Sequence, residues 1–113
     1  MDTDYAKLDS PFEVAIAVLS TVVSTSSKGW AVADAGLKAF GMDHGNPSWT
    51  DGPLLFCSDE HATLGTRDVP LTVGDRVRIL PAHLDPTVAR HEAMWVVDGD
   101  DIVDRWPVDL RHW

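Results

Sequence analysis

The sequence predicts a mainly β domain, a compact β-barrel or sandwich with one or two short helical turns. Three segments support this prediction: residues 12–27 are rich in β-branched and hydroxyl side chains, residues 69–83 alternate behind a turn, and residues 94–108 have the pattern of a β-hairpin. With 113 residues, the chain is long enough to bury one core. We therefore expect a single β domain that covers residues 1–113.

The N-terminal half contains three predicted strands. The first covers residues 12–27 and is expected to be long and bent, because its hydroxyl side chains interrupt any helical stripe. After a turn, a second strand covers residues 30–40, where Gly36 is expected to break or bulge it. Residues 41–53 are rich in glycine and proline and predict a loop. Residues 53–61 predict a short strand that ends in a polar cluster.

The C-terminal half contains the clearest strand signals. Residues 69–83 carry a turn and then an alternating strand. The apolar residues on one side of that strand are Val73, Val77 and Ile79. Residues 86–93 predict one short helical turn, with Pro86 at its first position and Asp85 as its N-cap. Residues 94–108 predict two strands joined by an Asp-Gly turn.

The chain is acidic, with 18 Asp and Glu residues against 9 Lys and Arg and a formal net charge of −9. Nucleic acids and anionic membranes are therefore poor partners, because both are bound through basic surfaces. The longest apolar stretch, residues 14–23, is about half the length of a membrane helix. Cys57 is the only cysteine, so no internal disulfide is expected. The acidic N-terminus is unlike a signal peptide, and we predict a cytoplasmic protein.

His83 and Asp85 form the first candidate site, one residue apart and in front of Pro86. In an extended chain, side chains at positions i and i+2 point the same way, about 6.6 Å apart at their Cα atoms. An imidazole and a carboxylate at that spacing can converge on one cation, although substrate or water must complete the ligand shell. Taken alone, such a triplet is more often a pair of polar surface residues.

The second candidate site is a polar cluster at the end of the strand at 53–61. Its members are Ser58, Asp59, Glu60 and His61. His61 is a candidate catalytic acid or base, and the alternative is a solvated turn in which a side-chain oxygen caps backbone N–H groups. Lys38 could act as a Schiff-base lysine only if it were desolvated. His112, near the end of the chain, has the features of an ordinary terminus.

Several segments resemble, in order, the C-terminal part of one enzyme family. They are AVLSTVVS (17–24), VADAGLKAF (32–40), SDEHATL (58–64), VGDRVRILPAHLDPTV (73–88) and MWVVDGDDIVDRWPV (94–108). The family is the D-threonine aldolase and D-serine dehydratase group, pyridoxal-phosphate (PLP) enzymes of the alanine-racemase type. Its members have an N-terminal (β/α)₈ barrel and a C-terminal β domain. The resemblance covers nearly the whole chain and implies the fold of that C-terminal domain.

The resemblance also implies roles for both candidate sites. His83 and Asp85 match the two protein ligands of the family's divalent metal. The dehydratases have Cys at the second position and bind zinc, whereas Asp85 resembles the D-threonine aldolases; Mn²⁺ or Mg²⁺ is therefore favoured and Zn²⁺ is the alternative. The stretch SDEH corresponds to the family motif S-[ED]-E-H-G near the active site, with Ala62 in place of glycine. This match makes His61 the candidate catalytic residue.

The implied function is a metal-binding C-terminal domain of a D-threonine aldolase-like lyase, which cleaves D-β-hydroxy amino acids to glycine and an aldehyde. The PLP lysine and the phosphate-binding groups lie in the family's barrel, and the start MDTDY matches a point inside the family's sequence. We therefore expect the chain to be inactive unless a barrel-bearing chain supplies PLP. The alternatives are a D-serine dehydratase-like domain and a non-catalytic β module for homodimerisation or docking. A small complete enzyme that uses His61 and Asp59 ranks last.

Five tryptophans are many for a chain of this size. Near the C-terminus, Trp106 and Trp113 would suit an apolar surface left exposed by a missing barrel. Core packing is the ordinary alternative, and we favour it for Trp95 and Trp106.

Overall fold

The computed structural model describes residues 4–111, so His112 and Trp113 lie outside the described residues. The strands are β1 (Val18–Ser26), β2 (Trp30–Ala33), β3 (Ser48–Trp49), β4 (Leu54–Cys57), β5 (Ala62–Gly65), β6 (Arg76–Leu80), β7 (Ala93–Asp98) and β8 (Asp101–Pro107). Among the described residues, helical structure is limited to a 3₁₀ turn at Tyr5–Lys7 and helix α1 at Leu84–Val88. The predicted mainly β fold with one or two helical turns is confirmed. Within residues 4–111, no helix is long and apolar enough to cross a membrane.

Six strands form one antiparallel sheet in the order β3-β6-β1-β2-β5-β4, and the sheet curls into a nearly closed barrel. The two edge strands, β3 and β4, follow each other in the chain. A bridge between Trp49, the last residue of β3, and Gly52 lies where the chain passes from one edge to the other. Strands β7 and β8 form a separate two-stranded sheet.

The core lies inside the barrel and is built mainly from alternate residues of its strands, with Phe40 added from the segment after β2. Its largest apolar members are Val22, Phe40, Trp49, Leu64, Val77 and Ile79. In β6 the pattern is the predicted one, since Val77 and Ile79 are buried and the two arginines beside them are exposed. Val73, predicted on the same side, is 63% exposed because it belongs to the turn before β6, where Gly74 has a φ of 99°.

The first strand is shorter than predicted. It begins at Val18, which pairs with Ile79 of β6, and a register shift between Val22 and Ser24 supplies the expected irregularity. Residues 12–17 have β-type composition but no regular partner among the described residues. Composition alone therefore did not predict the residue at which β1 begins.

The second strand is also shorter than predicted and ends at Ala33 instead of residue 40. At the next residue, the carboxylate of Asp34 accepts hydrogen bonds from the amide of Thr21 (2.7 Å) and the hydroxyl of Ser20 (2.8 Å). The chain then leaves the sheet at Gly36, where an added Cβ would lie 2.3 Å from the carbonyl oxygen of Ser58. Gly36 therefore allows a close approach between two backbone segments.

Helix α1 begins earlier than predicted. His83, with extended φ and ψ angles, is the N-cap, and Asp85 lies within the first turn. The prediction of Asp85 as the N-cap is therefore wrong. The physical reason is the hydroxyl of Thr87, which donates a 2.6 Å hydrogen bond to the carbonyl oxygen of His83 and draws the preceding residues into the helix.

The β-hairpin is confirmed, with Gly99 in the left-handed region at a φ of 62° in its turn. Every residue of β8 is exposed. Trp95 and Trp106 are 60% and 53% exposed, so the predicted core packing of these two residues is wrong. Both indoles have polar neighbours instead: the guanidinium of Arg105 lies 5.5 Å from the ring centroid of Trp95, and Nε1 of Trp106 donates to Asp104.

Candidate functional site

The segment of residues 34–43, here called the connecting segment, joins the two candidate sites. On one side, the amides of Leu37 and Lys38 donate 2.9 Å hydrogen bonds to the carbonyl oxygens of Ser58 and Asp59. Farther along, Gly41 forms an antiparallel bridge with His83. The polar turn at 58–61 and the start of α1 are therefore held by one short stretch of chain.

Gly41 contacts α1 more closely than any other residue type could. Its amide donates a 2.9 Å hydrogen bond to the hydroxyl of Thr87, which is 2% exposed. A Cβ at position 41 would lie 2.3 Å from Cγ of Pro86, well inside van der Waals contact. The packing of glycine against proline thus fixes the position of the backbone that carries His83.

The imidazole of His83 is held by Asp43. Its Nδ1 lies 2.7 Å from Oδ2 of Asp43, and its side chain is 21% exposed. This hydrogen bond is the main cause that holds the pKa of Asp43 below its ordinary value. An ionised carboxylate can only accept, so Nδ1 of His83 carries the proton in this contact. A neutral His83 then has its lone pair on Nε2.

His44 stacks on His83, with ring centroids 4.1 Å apart and an interplanar angle of 28°. Nδ1 of His44 lies 3.1 Å from Oδ2 of Asp4, which connects this loop to the chain before the 3₁₀ turn. Asp43, His44 and His83 each have a possible metal-binding atom, and these atoms lie within 4.8 Å of one another. The stacked rings argue against a shared ion, because their planes cannot both contain an ion about 2 Å from each nitrogen.

Asp85 does not belong to that cluster. Because it lies in α1, it lacks the extended backbone on which the sequence argument for side-chain convergence relied. Its carboxylate is exposed and takes part in no hydrogen bond or ion pair within residues 4–111. His83 therefore offers a nitrogen, and Asp85 offers an uncommitted oxygen two residues further along the chain. This donor set fits a divalent ion of intermediate or hard character.

The residues at 58–61 form a tight, solvent-exposed turn. The amide of Ser58 donates a 2.8 Å hydrogen bond to the carbonyl oxygen of His61, and all four side chains are exposed. The ring of His61 is thus accessible, while its backbone closes the turn. Ala62 is fully buried at the start of β5.

Lys38 forms an exposed ion pair with Glu60. The hydrogen bond that Lys38 donates to the carboxylate of Glu60 is the main cause that raises the pKa of Lys38, and the same contact lowers the pKa of Glu60. The lysine side chain is 71% exposed. A solvated amine with a raised pKa is protonated at neutral pH, which makes it a poor Schiff-base nucleophile.

The sequence did not identify Asp43 and His44 as members of the site, and it did not predict the structural role of Thr87. Asp43 and His44 lie in the glycine-rich loop GMDHG, and His83 follows 40 residues after Asp43. The adjacent Asp and His in a loop were the only available signal. Nothing in the sequence linked that pair to His83 before the fold brought them together.

These features define a class of protein: a barrel-like antiparallel β domain of the kind attached to alanine racemase-like enzymes, with imidazole and carboxylate groups gathered at the start of α1. More particularly, the chain belongs to the family described as "Putative serine dehydratase domain", whose model matches residues 15–97. It corresponds to the C-terminal domain of the D-threonine aldolase and D-serine dehydratase group, as the sequence predicts.

Relatives of known activity are much longer than this chain. The chain is 34% identical to the 3-hydroxy-D-aspartate aldolase of Paracoccus denitrificans over 123 residues, which covers 98% of the chain and 32% of the relative. It is also 32% identical to an uncharacterized protein of Mycobacterium bovis, and there the match covers 90% of the chain and 87% of the relative. The family therefore includes proteins of similar size to this chain.

Solved structures agree with this assignment. The D-threonine aldolase of Filomicrobium marinum superposes with a TM-score of 0.84 at 34% identity, over 95% of this chain and 32% of that one. The D-threo-3-hydroxyaspartate dehydratase of Delftia sp. HT23 superposes with a TM-score of 0.66 at 28% identity, over 83% of this chain and 32% of that one. A variant of the dehydratase with one cysteine replaced by alanine is described as metal-free.

Proposed function

We propose that this chain is the metal-binding C-terminal domain of a PLP-dependent, D-threonine aldolase-like lyase. The proposed reaction of the complete enzyme is cleavage of D-β-hydroxy amino acids to glycine and an aldehyde. The observation that carries the proposal is the environment of His83: Asp43 engages its Nδ1, while the exposed carboxylate of Asp85, two residues along the chain, is uncommitted within residues 4–111. The similarity to two aldolases supports the reaction class.

His83 and Asp85 are the proposed metal ligands. In the D-threo-3-hydroxyaspartate dehydratase, the histidine and the cysteine chosen for replacement by alanine stand two positions apart, which is the spacing of His83 and Asp85 here. A carboxylate in place of the thiolate suits harder ions, so we propose Mn²⁺ or Mg²⁺ and retain Zn²⁺ as the alternative. Water and substrate would complete the ligand shell.

The chemistry is divided between this chain and the cofactors. When bound, the metal ion supplies Lewis acidity at the substrate's β-hydroxyl group, and PLP supplies an electron sink for the Cα–Cβ bond. His83 and Asp85 would orient that hydroxyl group. His61, with an exposed ring, is the proposed group that moves a proton, and Ser58, Asp59 and Glu60 would line the approach.

We further propose that this chain alone is inactive and works with a barrel-bearing chain, which supplies PLP. The support for this proposal is that the match to the Paracoccus aldolase covers 98% of this chain but only 32% of that enzyme. The proposed location is the cytoplasm. Cys57, the only cysteine, is consistent with a reducing compartment, and burial raises the pKa of its thiol.

A non-catalytic β module for docking or homodimerisation is the second candidate. The observation that favours it is the β7–β8 hairpin, whose exposed apolar residues are Trp95, Val97, Ile102, Val103 and Trp106. Exposed apolar side chains gathered on one hairpin are typical of an interaction surface. A D-serine dehydratase-like activity is a third reading, supported by the similarity to the Delftia enzyme.

The deciding experiment is calorimetric titration of Mn²⁺ and Zn²⁺ into the metal-free chain, beside His83→Ala and Asp85→Ala. Asp100→Ala is the control, since that carboxylate lies exposed in the hairpin turn. We expect weak binding that both site variants lose and the control keeps. Binding indifferent to His83 and Asp85 would reject the metal site. Light scattering on the same samples tests the second candidate, because a dimer without metal binding would favour it.

A further inference from the structure

We infer that Asp43 is a positioning residue for His83: it holds the imidazole as the Nδ1–H tautomer and so makes Nε2 the metal-binding nitrogen. The inference rests on the proposed function, in which His83 is a metal ligand. It assigns a second acidic residue to the site, from a loop that lies 40 residues earlier in the chain.

The geometry favours Asp43 as the hydrogen-bond partner of His83 over Asp43 as a direct ligand of the metal ion. At 2.7 Å, the distance between Oδ2 of Asp43 and Nδ1 of His83 is that of a strong hydrogen bond involving a charged group. Histidines that bind metals ordinarily donate their other ring N–H to a carboxylate, a carbonyl or water, and this contact sets the tautomer and the ring orientation. Asp43 has the chemistry and the distance for that role.

Three neighbouring contacts hold the backbone and the ring of His83 in place. The carbonyl oxygen of His83 is held by Thr87, and its backbone is bridged to Gly41, two residues before Asp43. The ring of His44 covers one face of His83 and limits its rotation. The backbone and the ring of His83 are therefore fixed by separate groups. Within residues 4–111, the contact with Asp43 is the only hydrogen bond of the ring, and it selects between the two nitrogens.

The competing arrangement is an ion bound jointly by Asp43, His44 and His83. Because Nδ1 is the His83 nitrogen that faces Asp43, an ion shared with Asp43 would lie at Nδ1, and the stacked rings would have to separate. The two arrangements differ in which nitrogen of His83 binds the ion. They differ also in whether His44 is needed.

The test uses the full chain and two spectroscopic samples. In the metal-free protein, the ¹⁵N shifts of the His83 ring report which nitrogen carries the proton, with His83→Gln to assign the signals. In the Zn²⁺-loaded protein, the same shifts report which nitrogen binds the ion. Mn²⁺ affinity is measured by calorimetry in the wild type, Asp43→Ala, Asp43→Asn and His44→Gln. Asp68→Asn is a matched charge control, since Asp68 is exposed and has no ion pair within residues 4–111.

We expect the wild type to hold the Nδ1–H tautomer and to bind Zn²⁺ through Nε2. Asp43→Ala should lose the tautomer preference and weaken Mn²⁺ binding by about tenfold or more, the usual effect of removing such a partner. Asp43→Asn, which keeps an acceptor oxygen without the charge, should fall between the wild type and the alanine variant. Asp68→Asn should match the wild type in both measurements.

Two results would overturn the inference: metal bound to Nδ1 of His83, or a tautomer that Asp43→Ala leaves unchanged. Loss of Mn²⁺ binding in His44→Gln together with Nδ1 ligation would replace it with the three-residue site. A wild-type chain that binds neither ion, but whose tautomer depends on Asp43, would reject the proposed metal function while supporting the pairing of Asp43 with His83. The failure of the inference and the failure of the proposed function are thus separate results.

Discussion

The hydroxyl group of Thr87 donates a 2.6 Å hydrogen bond to the carbonyl oxygen of His83. The same hydroxyl oxygen accepts a 2.9 Å hydrogen bond from the amide of Gly41. One buried side chain thereby joins the N-cap of α1 to the connecting segment. The backbone of His83, the candidate metal ligand, is therefore held in part by the side chain of Thr87.

Thr87→Val should destabilise the domain, because valine keeps the shape but leaves the amide of Gly41 without its partner. The expected loss is about 1–3 kcal/mol of the free energy of unfolding, the usual cost of an unsatisfied buried polar group. Urea denaturation followed by fluorescence measures it. Thr87→Ser is the matched control and should retain most of the stability, since its hydroxyl can form both hydrogen bonds. Equal losses in the two variants would contradict the importance of the hydroxyl group.

Gly41→Ala should separate α1 from the connecting segment. A Cβ at this position would lie 2.3 Å from Cγ of Pro86, so one of the two backbones must move. We expect a loss of about 1–3 kcal/mol in the free energy of unfolding, as in other overpacked sites. The displacement of His83 should also weaken Mn²⁺ binding in calorimetry. Unchanged stability and affinity would mean that the contact is looser than the structure indicates.

Asp34 should make the domain sensitive to acid. The amide of Thr21 is the main cause that lowers the pKa of Asp34 in the folded chain, and the hydroxyl of Ser20 adds to it. A carboxylate with a lowered folded pKa contributes stability that is fully present above its ordinary pKa and is lost as the pH falls through the folded value. The contribution of Asp34 should therefore be constant at neutral pH and decline below about pH 4.

The measurement for Asp34 is the free energy of unfolding from pH 3 to pH 7, in the wild type and in Asp34→Asn. The variant should be less stable at neutral pH, and its stability should fall less steeply in acid. Asp100→Asn, which removes an exposed carboxylate from the hairpin turn, should keep the wild-type slope. A parallel pH profile in Asp34→Asn would count against this source of acid sensitivity.

Trp49 should differ from Trp95 and Trp106 in its accessibility to solvent. Trp49 is 4% exposed, whereas Trp95 and Trp106 are each more than half exposed. Acrylamide should therefore quench the fluorescence of Trp95 and Trp106 several times more efficiently than that of Trp49, when each is assigned by replacing it with phenylalanine. Protection of the hairpin tryptophans that disappears on dilution would reveal a homodimer through this surface.

Elements specified by local chemistry could be predicted from the sequence. The hairpin at β7–β8 follows from an Asp-Gly turn between apolar runs, and β6 follows from strict alternation. The start of β1 and the end of β2 were misplaced because both depend on contacts with other strands. Val18 is the first residue of β1 that pairs with β6, and the carboxylate of Asp34 accepts a hydrogen bond from Ser20 of β1. Such contacts have no local signature.

The candidate site was predictable only in part. His83 was identified by its motif, but its contact with Asp43 spans 40 residues and depends on how the connecting segment crosses α1. Asp85 was assigned extended geometry, and the hydroxyl of Thr87 instead places it in a helix. Trp95 and Trp106 were assigned to the core because apolar area favours burial, yet no described part of the chain covers them.

The β7–β8 sheet has only two strands, so in the described part of the chain each strand has one unpaired edge. Unpaired edges are templates for pairing with further copies. Here Asp101, Asp104 and Arg105 lie on the exposed strand, and Pro107 ends it, features that oppose edge-to-edge pairing. The formal net charge of −9 adds repulsion between copies at neutral pH. Acidification would remove that repulsion, so storage at neutral pH and low ionic strength should keep the purified chain from aggregating through its hairpin.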